Sequence, residues 1–470
     1  MHGCRREDKA LIAHLLRRAG MGSTVNDVDR LVKLGYEAAV EELLFPELRP
    51  QLDEDVIRRY HVDQNSLMLI ESSQAYWLYK LINTQRPLEE KLALFWHGLF
   101  ATAYGKLNHA KAVANQIELF RRIGLSNIRK LLVSISRDPA MLFWLDNKDN
   151  TRLQPNENYG RELLELFSMG IGSYEEQDVK NCARAFTGWT INNAEYMSIR
   201  AARDSVWPYG RLDWQFSYRP EMHDDSMKTF LGRRGRFNGD DIIDIICEQK
   251  ATANYICAKL YEFFVSDTHQ EEAIKALSDV FTESHGDIRQ VLRFLFNSND
   301  FKAQCNRRSK VMSPVELLTQ TCRIAGSHAF PDWTIVQVAM DMNFMGQEIL
   351  NPPTVEGWHT GREWIDTGSL VERLNGAGSE ISDLSQPGVQ TIIDKVKGHG
   401  PIVSPVTLVD VSLEAMSMYD FSDATRQELI SYASRWGSIS FDRFDAVQCA
   451  EQRVGEILQM IVASRDYQMG

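Results

Sequence analysis

The chain has 470 residues, 44% hydrophobic, 25% charged and 10% aromatic, with a net charge of −12. That composition suits a globular protein with a sizeable core and excludes a fibre, a collagen and a disordered tail. No run of eighteen apolar residues exists to span a bilayer, and basic residues are scattered, densest at Arg233, Arg234 and Arg236, which argues against nucleic acid as a partner.

The dominant period is helical. Leu11, Ile12, Leu15, Leu16 and Ala19 mark one face of a helix opening near Asp8 and stopped by Gly20. Thr24 with Asp27 reads as the cap of the next helix, ended by Gly35, and a third runs from Tyr36 to Leu44 before Pro46. Longer helices are expected at roughly 64–84, 87–103, 109–123 and 126–136. Asp138-Pro139 is a start signal, since Asp caps free amides and Pro fits the first helical position. Helices near 156–170, 174–188, 239–248, 251–265, 270–283, 287–297, 313–325, 423–436 and 447–463 complete the pattern.

Three stretches break the helical period. Thr190–Arg236 is aromatic and irregular (Tyr196, Trp207, Tyr209, Trp214, Phe216, Tyr218), and alternation over Leu212–Tyr218 predicts a short strand pair. Asn351–Asp366 sets Pro352, Pro353, Gly357 and Gly361 around Trp358 and Trp364; Ser379–Pro405 reads as a linker into a C-terminal helical piece. The predicted fold is a mainly α, single large helical domain with a small aromatic-rich β/irregular insertion. Its parts are a helical core over 1–378, with the insertion at about 190–236, and a C-terminal linker and helical extension over 379–470 packed on the same domain.

The seven cysteines stand apart without a CxxC pair, so neither a zinc knuckle nor a compact disulfide framework is expected. Isolated thiols in odd number fit a reducing compartment. Met1–Lys9 is polar with no apolar run behind it, so the sequence as written is expected to be cytoplasmic and without a secretory signal.

Chemistry concentrates in Asn156–Gly170. At 100° per residue, Tyr159, Leu163, Leu164, Leu166 and Phe167 fill one arc, and Glu157, Asn158, Arg161, Glu162 and Glu165 fill the other. Glu162 and Glu165, at i, i+3, either ligate a hard metal or act as general acid and base, or else belong to a solvated face laced by i, i+4 pairs. His97 sits in a helix apolar nearly all round, so it is expected to be inside, where an imidazole needs a partner. His223-Asp224-Asp225 is open to a metal or base-orienting role and equally to turn chemistry. Walker-type, nucleophile-elbow, zincin and Rossmann motifs are absent.

Six motifs occur in order. They are Phe95-Trp-His97; Arg137-Asp-Pro-Ala-Met-Leu-Phe-Trp-Leu-Asp-Asn147; Asn156-Glu-Asn-Tyr-Gly-Arg-Glu-Leu-Leu-Glu-Leu-Phe167; Ala183-Arg-Ala-Phe-Thr-Gly-Trp189; His223-Asp224 with Lys228 and Leu231-Gly232; and Asn351-Pro-Pro-Thr-Val-Glu-Gly-Trp358. Together they resemble, over nearly the whole chain, the bacterial family known as domain of unknown function eighteen hundred. The resemblance implies no defined activity. It implies export for most relatives and a sulfatase-like protein encoded beside them as partner, and it places the family's polar residues on Glu157, Arg161, Glu162, Glu165, His97 and His223. Glu175 stands where the family usually has threonine, and Ser173 with Glu176 is expected to supply the capping box there.

Two functional readings follow. In the first, the protein is an enzyme with Glu162, Glu165, Arg161 and His97 as catalytic residues, and with His97, Glu162, Glu165 and His223 around a divalent metal. Arg161 is then expected to be buried, neutralising Glu157, Glu165 or both. In the second, it is a non-catalytic binding or maturation partner of the sulfatase-like protein, presenting the aromatics of the insertion.

Overall fold

The computed structural model describes residues 2–53, 70–193, 214–331, 333–442 and 444–470. The predicted helical residues 64–69 and the aromatics Tyr196, Trp207 and Tyr209 lie outside them. Among the described residues there are 24 α-helices and three two-stranded sheets, a mainly α architecture. No helix among these residues is long and apolar enough to cross a membrane.

Local sequence sets the helix starts. Thr24 Oγ1 accepts from the Asp27 amide and the Asp27 carboxylate accepts from the Thr24 amide, a closed capping box on Val25–Leu34. Asp138 accepts from the Met141 amide at 3.0 Å with Pro139 behind it, opening Pro139–Trp144. Ser313 and Glu316 box the start of Pro314–Ala325 in the same way. One cap falls elsewhere than expected. The Glu175 amide donates to Asp178 Oδ2 at 3.0 Å, so Glu175 and Asp178 start Glu176–Ala185, and the Glu176 carboxylate pairs with Arg161.

Ser379–Pro405 is not the linker the sequence suggested. Helix Thr367–Ser382 runs into its start, and Pro387 is the first residue of a further helix, Pro387–Lys397. Proline there occupies a position whose amide has no helical partner anyway, so it starts the helix rather than breaking it. Helices Ile335–Phe344 and Pro405–Ala415 were likewise not expected.

The core runs through helix Pro87–Leu99. Trp96 stacks on Phe100, Phe100 meets Phe167 edge-on, and Phe95 packs on Phe263. In the insertion Trp189–Asn193 pairs antiparallel with Trp214–Tyr218, placing Trp189 opposite Tyr218. Trp214 stacks on Phe143 and tilts against His109, so the insertion is pinned to the helical body by rings. A second hairpin joins Lys228–Phe230 to Arg233–Gly235 through Leu231 and Gly232, both at positive φ, as a two-residue turn of this kind demands. Strand is not confined to the insertion: Ile402–Val403 pairs with Ile439–Ser440 in the C-terminal part.

Candidate functional site

Three of the motifs converge on one cleft of about 510 Å³. Helix Pro87–Leu99 supplies Leu94, Phe95 and Gly98, the segment after Asn158–Glu165 supplies Leu166, and loop Asn351–Asp366 supplies Glu356, Trp358 and Trp364. Gly357 brings loop and helix together: its φ is +92°, and a Cβ there would stand 2.4 Å from the Gly98 carbonyl oxygen. Only glycine tolerates both the backbone and the approach.

Behind Trp358 lies His97. Its ring is fully buried, edge-on to Trp77 at 5.6 Å and to Trp358 at 5.1 Å. Among the described residues neither ring nitrogen has a hydrogen-bond partner, and neither does Trp358 Nε1. Burial pushes the imidazole down to about 3, so it is neutral at ordinary pH.

The acidic helix divides its polar residues between two tasks. Asn158 Nδ2 donates to the Leu145 carbonyl, the Asn156 amide donates to Asn150 Oδ1, and Asn150 Nδ2 donates to Asn147 Oδ1 and the Ala183 carbonyl. These asparagines fasten the entry loop to the Ala183–Trp189 motif and are structural. Glu162 and Glu165 share a face. Burial raises the Glu162 carboxyl from its ordinary value, and Glu165 and Glu356 push it the same way against Arg161. Glu165 accepts from the Tyr174 hydroxyl at 3.2 Å.

Arg161 is not buried. Its side chain is 37% exposed and forks onto Glu176, itself 57% exposed, with Nη2 2.6 Å from Oε1, and reaches Glu157 at 3.4 Å. The expectation of a buried Arg161 failed because Glu176, one helix away, offers a bidentate partner at the surface. His223 belongs to the insertion. Its Nδ1 lies 3.0 Å from the Thr187 carbonyl oxygen, while Asp224 pairs with Arg184 and accepts at its carbonyl from Lys228. No three of His97, Glu162, Glu165 and His223 gather their donor atoms within 4.8 Å; among the described residues that condition is met by Cys322, His328 and Glu380.

Sequence reasoning missed the ionic floor of the cleft. Lys91 is fully buried and paired with Glu316, while Lys310 Nζ lies 3.3 Å from Asp267. Burial alone would raise Glu316, but Lys91 and Arg18 hold it down at about 2. Arg18 Nε donates to the Phe264 carbonyl at 2.9 Å and Lys310 donates to the Glu262 carbonyl, two cations closing the C-terminus of helix Lys250–Phe264. These five charges come from segments more than two hundred residues apart in places, and no local spacing signals them.

A model of the family described as Protein of unknown function (DUF1800) matches residues 14–469. The chain belongs to this family. The match takes in every motif that builds the cleft, from the His97 helix to the Trp358 loop. No curated protein and no solved structure matches the chain.

Proposed function

We propose that the cleft binds a cationic small molecule with an apolar body and that Glu162, outside the lining but close enough to Glu356 to feel its charge, serves beside it as the acid–base group. The observation that carries this reading is the pairing of an aromatic wall with clustered carboxylates. Phe95, Tyr255, Phe263, Trp358 and Trp364 line the cleft with Glu356, and the charges of Glu356 and Glu165 both act on Glu162. Glu162, half-buried and repelled by Glu165 and by the exposed Glu356, is relieved by an incoming cation, which the ring faces also favour. Arg161, turned toward Glu176, does not quench the cluster by contact. A carboxyl raised by burial and by its neighbours holds a proton closer to neutral pH than an ordinary one, as a general acid requires. In this reading His97 backs Trp358 rather than touching the ligand, and the enzyme does not need a metal held by His97 and His223.

The test is a tryptophan-fluorescence titration with aryl and alkyl amines against neutral and anionic analogues of the same shape. Amines are expected to bind best, and Glu356→Gln to weaken them roughly five- to tenfold, about 1–1.4 kcal/mol. Amines binding no better than their neutral analogues would overturn the reading. Of the insertion aromatics on which the partner-protein reading rests, Trp214 is spent on Phe143 and His109, Tyr218 is exposed, and Trp207 lies outside the described residues.

A further inference from the structure

Away from the cleft, and sharing no lining residue with it, a pocket of about 360 Å³ is bordered by Cys322, Ser327 and Arg323. Helix Pro314–Ala325 ends there. Gly326 turns the chain at φ +70°, and His328 follows at φ +56°, a left-handed conformation that an ordinary side chain adopts only when its surroundings impose it. The imposition is visible: Asn83 Nδ2 donates to the His328 carbonyl at 2.9 Å, and the Ser327 amide donates to the Cys322 carbonyl at 3.1 Å. The turn carries the His328 ring to Glu380 on the facing helix Thr367–Ser382, with Nε2 3.5 Å from Oε2. Cys322 Sγ lies 3.4 Å from the same oxygen, and all three donor atoms fall within 4.8 Å of one another.

We propose that Cys322, His328 and Glu380 form a binding site for a zinc-type divalent transition metal, with the fourth position open to water from the adjoining pocket. Ligands about 2.0–2.3 Å from a tetrahedral ion stand roughly 3.3–3.7 Å from each other, so the two contacts to Glu380 already have the spacing of tetrahedron edges. Thiolate, imidazole and carboxylate together select zinc, cobalt or ferrous iron over calcium and magnesium. Thiolate and carboxylate balance the two charges of the ion, which a largely buried site requires; the thiol proton leaves to solvent as the metal enters. Ser327 Oγ donates to Glu380 Oε2 at 2.8 Å and so orients the carboxylate as an outer partner. Sequence spacing concealed the set, because Glu380 is far along the chain from Cys322 and His328 and no CxxC or HExxH frames them.

The experiment is titration of the chelator-stripped full chain with Zn²⁺ and Co²⁺. About one equivalent of zinc is expected, with a thiolate-to-cobalt charge-transfer band in the near ultraviolet for the Co²⁺ form. Cys322→Ser is expected to abolish that band, Glu380→Gln to lower zinc affinity at least tenfold, and Cys182→Ser to leave both unchanged. Ser327→Ala, which keeps all three ligands, is expected to weaken binding roughly 10–100-fold. Folded wild-type protein that shows no charge-transfer band at excess Co²⁺ overturns the proposal, as does a band that survives in Cys322→Ser.

Discussion

His97 joins burial to pH at the level of one residue. Its folded value of about 3 lies below the ordinary 6.5, so between these limits the unfolded chain binds a proton that the folded chain does not. Stability therefore falls as pH drops from 6.5 toward 3, with this one group contributing a slope of about 1.4 kcal/mol per pH unit. In His97→Leu that slope is absent. Denaturant unfolding of both proteins at several pH values is expected to show their difference changing steadily below pH 6.5, and a constant difference would mean the imidazole is not desolvated. Arg161 is the opposite case. Being exposed and paired with exposed carboxylates, it contributes little, and Arg161→Ala is expected to melt within about two degrees of the parent. A much larger drop would place Arg161 inside.

At the level of elements, the seam between helix Pro87–Leu99 and loop Asn351–Asp366 rests on Gly357. An added methyl group meets the Gly98 carbonyl oxygen at 2.4 Å and also a left-handed backbone. Gly357→Ala is expected to cost about 2–4 kcal/mol, and ligand binding in the cleft should fall with it. Full stability with an intact cleft would show that the loop shifts freely. Sequence reasoning located this loop as irregular and rich in proline and glycine but not what it packs on, since its partner across the seam is some 250 residues distant. Helices with strong caps, such as Val25–Leu34 and Pro139–Trp144, were legible because the signal and the helix lie within a turn of each other. Pro387–Lys397 was obscured by Pro387 and Gly388, read as breakers although the first sits at a helix start and the second packs beneath Ala325. On the acidic helix, the amphipathic stripe showed that Glu162 and Glu165 share a face. It could not reveal that Arg161 turns outward, because Glu176 enters only through the packing of the next helix.

Across the whole molecule, the C-terminal segment closes back on the wall of the cleft. The Met312 amide donates to the Gln468 carbonyl at 3.1 Å and the Gly470 amide to the Lys310 carbonyl at 2.7 Å. Lys310, Val311 and Ser313 line the cleft, so the wall is held by the far end of the chain. The tie is reinforced from inside: Arg373, fully buried, donates from Nε to Gln468 Oε1 and from Nη2 to the Met312 carbonyl, both at 2.9 Å. Burial pushes the Arg373 guanidinium down to about 10 against the pull of Glu316, and it stays charged near neutral pH. Gln468→Leu fills the same space and removes the acceptor, leaving a buried cation short of a partner, and the expected loss is about 2–4 kcal/mol. Because the lost bond lies behind residues 310–313, amide exchange at Met312 and Gly470 should quicken together, while amides of Val25–Leu34 keep parental protection relative to the new global stability. If Met312 and Gly470 keep their protection in the variant, the backbone pairing alone holds the wall and the guanidinium is not its clasp.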